Sequence, residues 1–316
     1  MTKSTTVETD GSATQTRAPR GAIDRSRLAL FFGALVALVI GFSAGTRMFE
    51  IDILALTPIY MFTPAIAAVV VLAFRGISPS EVGLRVGNPR WLVVAAIAAP
   101  VVLAATALLA AGLSGVALDP TPGLAAEIGL PETLLGGAVA VGVLLGIGLT
   151  INAVFAFGEE FGWRGYLLWE LAPMGFWKAS LAIGAVWGLW HAPVIVAGHN
   201  YPSFPLVGIV AMTAICIAMS PLYTYLVIRA ESVMAAVFLH GVFNAFGQTF
   251  GLFVFTDDAL VMELVASPAG IAGIVVFGLI ALGIAARGAP SLDRGFIGGG
   301  RTVADPGRSS GTEVGS

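Results

Sequence analysis

The feature that most limits how this chain can fold is a series of eight long apolar runs. They fall at about residues 28–46, 53–74, 91–115, 134–157, 179–197, 206–228, 233–255 and 269–286. A helix needs roughly 20 mostly apolar residues to cross a bilayer, and each run is about that long. The hydrophobic share of 57% exceeds the roughly half found in soluble domains. The expected fold is therefore all-α, a polytopic membrane helix bundle of about eight transmembrane helices. The first run is not a cleaved signal, because it follows a long polar tail and lacks a small-x-small cleavage site.

Loop charges set the expected orientation. With the N-terminus in the cytoplasm and sides alternating, 15 of the 16 basic residues fall on the cytoplasmic side, Arg164 among them, and only Arg47 falls outside. Basic residues concentrate on that side, so both termini are expected to be cytoplasmic. Residues 1–27 are rich in Ser and Thr and residues 288–316 in Gly and Ser. Neither has apolar periodicity, so both read as disordered cytoplasmic tails around one transmembrane domain, 28–287. The expected location is a membrane crossed many times, the cell membrane in a prokaryote. Membrane lipid is the implied partner, and no nucleic acid is expected. The only cysteine, Cys216, excludes an intramolecular disulfide and reads as a small buried side chain.

Against this background a charge inside an apolar run is costly and becomes a functional candidate. The stretch FGEEFGWRGYLL, residues 157–168, holds Glu159, Glu160 and Arg164. Residues four apart on a helix share a face, so Glu160 and Arg164 form an ion pair in the favourable order. Glu159 is turned away by about 100° and is free for chemistry. His191 lies in the fifth run, one turn after Trp187, and His240 in the seventh, one turn before Asn244. His199 belongs to the loop GHNYPSFP and reads as a solvated loop residue.

Each feature alone has a plain structural reading. Glu160–Arg164 fits an interfacial salt bridge, and the membrane histidines and Asn244 fit interhelical hydrogen-bonding groups. Three helices supplying base-like groups together is harder to assign to packing. Depth raises a conflict: the fourth run ends near Gly158, which leaves the glutamates shallower than His240 and His191, at about 10 and 16 Å. Convergence requires a bend in that helix, for which Gly146, Gly148 and Asn152 are placed, or water entering from the cytoplasm.

Several membrane-protease chemistries are excluded. No histidine is followed by glutamate, so the HExxH zinc motif is absent. Asp257 and Asp258 lie in an outer loop, which removes an aspartyl pair. Ser114 in GLSG falls at the outer end of the third run, far from His240, and a nucleophile must be within reach of its base.

The words GEEFGWRGYL, WGLWH and LHGVFN resemble the ordered motifs EExxxR, FxxxH and HxxxN of the CAAX prenyl endopeptidase type II family. This group is also called CPBP, for CAAX proteases and bacteriocin-processing enzymes, and includes abortive-infection-like proteins. The resemblance covers about residues 134–250 and departs from the pattern at Trp187, where the family usually has Phe; a change of pocket shape and little change of chemistry is expected. It implies an intramembrane endopeptidase that cuts near the C-terminus of a peptide, lipidated or prenylated in the CAAX precedent, at the cytoplasmic side. Glu159 and His191 would activate water, His240 and Asn244 would hold the oxyanion, and Glu160, Arg164 and Trp187 would brace the site or engage substrate. Zinc is an open cofactor in this picture, with Glu159, His191 and His240 as its ligands, since a metal-free glutamate mechanism uses the same residues. The alternative is a catalytically silent membrane protein that binds or protects a partner, as in bacteriocin self-immunity. A proton-coupled transporter ranks lower, because no inverted repeat or paired interrupted helices are evident.

Overall fold

The computed structural model describes residues 22–119 and 123–296. Among them, seven helices are long and apolar enough to cross a membrane: α1 (Arg25–Met48), α2 (Thr57–Arg75), α3 (Pro89–Ala110), α4 (Leu134–Met174), α5 (Phe176–Val196), α6 (Pro205–Ala230) and α8 (Val261–Arg287). Between the last two lies α7 (Met234–Gln248). The chain is an integral, multi-pass membrane protein built as a helical bundle.

The seventh apolar run, expected to span from 233 to 255, does so only in part. Its helix has 15 residues, about 22 Å of rise, short of a ~30 Å hydrocarbon layer. Beyond Thr249 come a single turn and a two-residue strand, β2 (Val254–Phe255), antiparallel to β1 (Ala117–Leu118). This short helix is central: it packs against α3, α4 and α6. Where α7 crosses α4, a Cβ on Gly241 would lie 2.3 Å from the Gly148 carbonyl oxygen, and one on Gly148 would lie 2.6 Å from Val242 Cα. Glycine on both sides is what lets the two backbones meet.

The fourth run also differs from expectation. Instead of ending near Phe157, α4 continues to Met174, 41 residues in all. Three carved-in irregularities shape it. The backbone breaks at Thr150 (φ −120°, ψ −81°), whose hydroxyl donates to the Gly146 carbonyl at 2.6 Å. Residues Phe161–Leu167 form a π-helical stretch, a feature that recurs at functional sites. Gly175 (φ 77°) then ends the helix. The charges of the EExxxR motif end the apolar run, not the helix, because they are satisfied inside the bundle.

Arg164, counted from the sequence among the cytoplasmic loop charges, is fully buried. The remaining loops sort into two faces. On one, Asn88 N donates to the Ala230 carbonyl at 2.7 Å, Val233 N to Gly83 at 2.9 Å, and Arg75 to Ser26 Oγ at 3.0 Å. On the other lie the β1–β2 pair, the Tyr201 hydroxyl bonded to the Ala269 carbonyl at 2.6 Å, and Ser203 N bonded to Glu263 at 3.1 Å. We call them the basic face and the far face.

The tails begin later, and end earlier, than the composition suggests. Asp24 caps α1, and the fully buried Glu170 accepts from Asp24 N at 2.7 Å and pairs with Arg27 at 2.8 Å and Arg294 at 2.6 Å. Leu292 and Phe296 are also buried. Residues 23–27 and 289–296 thus belong to the packed body. The rest of the expected tails, 1–21 and 297–316, lies outside the described residues.

Candidate active site

All seven residues singled out from the sequence meet at one place. The longer α4 removes the depth conflict: Glu159 stands twelve positions before Leu171, about 18 Å from the basic-face end of the helix. It is therefore a mid-bundle residue, level with α5 and α7, and needs no water channel from that face to reach the histidines.

Glu160 and Arg164 lie behind the site, fully buried. Arg164 Nη1 donates to both oxygens of Glu160, at 3.1 and 3.0 Å, and Nη2 donates to Ser220 Oγ at 2.9 Å. The guanidinium is sandwiched between the rings of Trp187, 4.2 Å from its carbon, and Tyr223, 4.5 Å away. A buried cation needs such company: a counter-charge, hydrogen bonds and two π faces. The expected ion pair is present, and Glu160 carries a second duty that spacing alone did not reveal. His240 Nδ1 lies 2.8 Å from Glu160 Oε1, so the carboxylate orients the imidazole as well as neutralising the arginine.

Glu159 points the other way. It is buried, yet it lines a cavity of about 710 Å³ together with Trp187, His191, His240 and Asn244. Its Oε2 accepts from the Trp187 indole Nε1 at 2.6 Å. The expectation weighed only ring size at this position; tryptophan also brings an N–H that phenylalanine lacks, and it is given to Glu159. One ring thus braces Arg164 with its face and Glu159 with its edge.

His191 sits at a break in α5, where the helix stops at Trp190 and resumes at Ala192 with Pro193 in the first turn. Its Nδ1 lies 2.8 Å from the Trp187 carbonyl oxygen. A carbonyl only accepts, so Nδ1 carries the hydrogen and Nε2 keeps its lone pair. Asn244 stands one turn beyond His240 on α7, half-buried on the same cavity wall.

Other cavity residues were not assigned to the site from the sequence. Asn152 lines the cavity two turns before Glu159, and its Nδ2 is buried without a hydrogen-bond partner among the described residues. The i, i+7 spacing to Glu159 was the available signal. Cys216, expected as a small buried side chain, is buried and also forms part of the wall. His199, expected in a solvated loop, is half-buried at the cavity's outer end. Ser114 is no part of the wall.

The atoms that would hold a zinc are the uncommitted oxygen of Glu159 and the Nε2 atoms of His191 and His240. Among the described residues no three His, Cys, Asp or Glu side chains are already gathered into a metal-binding group. Glu159 has one oxygen committed to the Trp187 N–H, and the Nδ1 of His240 is committed to Glu160.

Known proteins can now be set beside this geometry. The family model that matches is described as type II CAAX prenyl endopeptidase Rce1-like, and it covers residues 141–246. The central third of the chain resembles that family. The matched segment contains every residue just placed around the cavity. A curated relative, CAAX prenyl protease 2 of Methanococcus maripaludis, is 43% identical over 44 residues, which is 14% of this chain and 16% of that protein. The similarity supports a membrane peptidase, and it is a local one: the alignment spans under a fifth of that relative's length.

Proposed function

We propose that this chain is an intramembrane endopeptidase that hydrolyses a peptide bond with water activated by Glu159 and His191. The observation that carries the reading is the split of the two adjacent glutamates. Glu160 is saturated by Arg164 and His240, whereas Glu159 faces the cavity with one oxygen tethered and the other uncommitted.

In this mechanism a water is held between the Glu159 carboxylate and Nε2 of His191. Glu159 takes its proton as the oxygen attacks the scissile carbonyl carbon, a role suited to a carboxylate in a dry, preorganised site. The oxyanion that forms is held by the Asn244 amide and by Nε2–H of His240, which acts as an imidazolium with its Nδ1–H given to Glu160. Donors aimed at developing charge often supply the largest catalytic term. Collapse of the tetrahedral intermediate breaks the C–N bond, and Glu159 returns the proton to the leaving amine. Asn152 is placed to donate to a carbonyl of the bound peptide. A zinc held by Glu159, His191 and His240 would polarise the same water and the scissile carbonyl; the steps above use this chain's own residues.

The test compares purified wild type with Glu159→Gln and His191→Ala on quenched fluorescent peptides, prenylated and unmodified, before and after chelation. Loss of cleavage in both variants, with their fold retained and with wild type insensitive to chelation, supports the mechanism. Cleavage by Glu159→Gln removes it, and a zinc-restorable loss on chelation replaces it with a metal-dependent one. A wild type inert towards every peptide favours the alternative, a partner-binding protein of the self-immunity type.

A further inference from the structure

The cavity leaves the site in one direction. On α4 its wall runs from Glu159 back through Phe155 to Asn152, and nothing after Glu159 contributes. From Trp187 on α5 it runs forward past the helix end to His199 and Asn200, from His240 on α7 through Gln248 to Gly251 beyond it, and on α6 it stops at Met219. Each of these stretches lies between the site and the far face. The wall then takes in Leu54 before α2, Thr57 at its first position, and residues of α8 between Met262 and Ala269, all far-face segments. Asn200, Gln248 and Gly251 are exposed and form the mouth.

The other direction is closed. Behind Glu159 stand Glu160, Arg164 and Ser220, all fully buried, followed by Trp163 and Tyr166, also fully buried. The loop 77–88 folds over this plug: a Cβ on Gly165 would meet the Val82 carbonyl at 3.2 Å, and Val233 N bonds Gly83 at 2.9 Å. Water and peptide therefore have one described way in.

The charges say which compartment that is. The closed face carries Arg75, Arg85, Arg90, Lys178, Arg229 and Arg287, while Arg47 is the lone basic residue of the far-face segments. Near the mouth the sequence is acidic, with Glu50, Asp52, Asp257, Asp258 and Glu263. Basic loops stay in the cytoplasm, so the mouth is extracytoplasmic.

We propose that this site takes its substrate from the extracytoplasmic side: a peptide segment of a secreted or membrane-anchored polypeptide, in place of the cytoplasmic lipidated C-terminus that the family resemblance implies. This rests on the peptidase reading above. The acidic surround of the mouth favours segments flanked by lysine or arginine, since opposite charge raises the local substrate concentration at low salt.

The experiment uses the full chain in cells, with Cys216→Ser removing the only native thiol. Gln248→Cys at the mouth and Lys178→Cys on the basic face are each treated with a membrane-impermeant maleimide, in intact cells and in inverted vesicles. The proposal expects Gln248→Cys to react in intact cells and lose labelling in inverted vesicles, with Lys178→Cys the reverse. The opposite pattern overturns it. In a second arm, the wild-type chain in sealed vesicles of each orientation receives a soluble basic peptide. Cleavage confined to right-side-out vesicles supports the proposal, and cleavage confined to inverted vesicles overturns it. If labelling is as expected and neither orientation cleaves, the peptidase reading fails while the assigned face stands.

Discussion

Replacing Trp187 by phenylalanine tests the site at its least expected joint. The substitution keeps an aromatic face for Arg164, 4.2 Å away, and deletes only the N–H that bonds Glu159 at 2.6 Å and part of the ring. Both partners are almost fully buried, at 3% and 2% exposure, so solvent does not replace the lost donor well. A hydrogen bond to a charged group is worth about 1.5–3 kcal/mol net. If the bond serves to aim the carboxylate, that energy appears in the barrier. At 1.36 kcal/mol per decade of rate, kcat falls by about 10- to 150-fold. KM should change little, since the interaction is with the base and not with bound peptide. The cost to the fold is a fraction of the ~3–5 kcal/mol expected for truncating a buried tryptophan to alanine, so the variant remains purifiable. The assay is steady-state cleavage of a quenched peptide in detergent, beside a thermal melt of the same preparation. A variant with wild-type kcat refutes the reasoning: Glu159 would then be aimed by its backbone alone.

Three other substitutions separate holding the fold from doing chemistry. Glu160→Gln leaves Arg164 buried without a counter-charge, which costs about 3–5 kcal/mol; it should lower the melting temperature steeply, where Glu159→Gln leaves it near wild type. Glu170→Gln removes the counter-charge of Arg294 and the nearer of two for Arg27, which keeps Asp24 at 3.6 Å; the two arginines are 11% and 15% exposed. Partial hydration softens that loss to about 1–3 kcal/mol, read as a lower melting temperature and faster proteolysis near residues 289–296. Gly241→Ala pushes a methyl into the Gly148 carbonyl and the Ala153 backbone, at 2.3 and 2.9 Å. Overpacking of this kind costs about 1–3 kcal/mol or more, and the check is loss of monodisperse protein together with loss of cleavage.

The membrane helices and the members of the site were legible in the sequence because both are written in strong contrast. Apolar runs of about 20 residues have few other uses, and a charge inside one has to be accounted for. The same contrast misled where the two signals overlapped. Glu159, Glu160 and Arg164 lower the local hydropathy, so the fourth run seems to end where the helix in fact carries its working residues, and Arg164 seems to be a loop charge. The seventh run erred in the opposite sense: apolar residues continue past Thr249 because the turn and strand that follow are packed against the bundle, not because the helix goes on. Relations between distant residues were beyond the reach of spacing. The bonds from Trp187 to Glu159 and from His240 to Glu160 join positions 28 and 80 apart. The glycine pair at 148 and 241 becomes meaningful only once α4 and α7 are seen to cross.

The doubled glutamate follows from a conflict between stability and reactivity. A carboxylate held by Arg164 and His240 is stable inside the bundle, but its lone pairs are spent. A carboxylate with no such partners keeps its basicity but is costly to bury. Placing the two side by side on a helix solves this, because successive residues diverge by about 100°. Glu160 turns inward and collects the arginine and the histidine, while Glu159 turns to the cavity and is held by a single neutral donor. The positive charge that Glu160 anchors remains close enough to stabilise its neighbour without bonding to it. Arg164 therefore contributes to both residues, directly to one and through space to the other. That is why a four-residue spacing that looks like an ordinary helical salt bridge lies at the centre of the site.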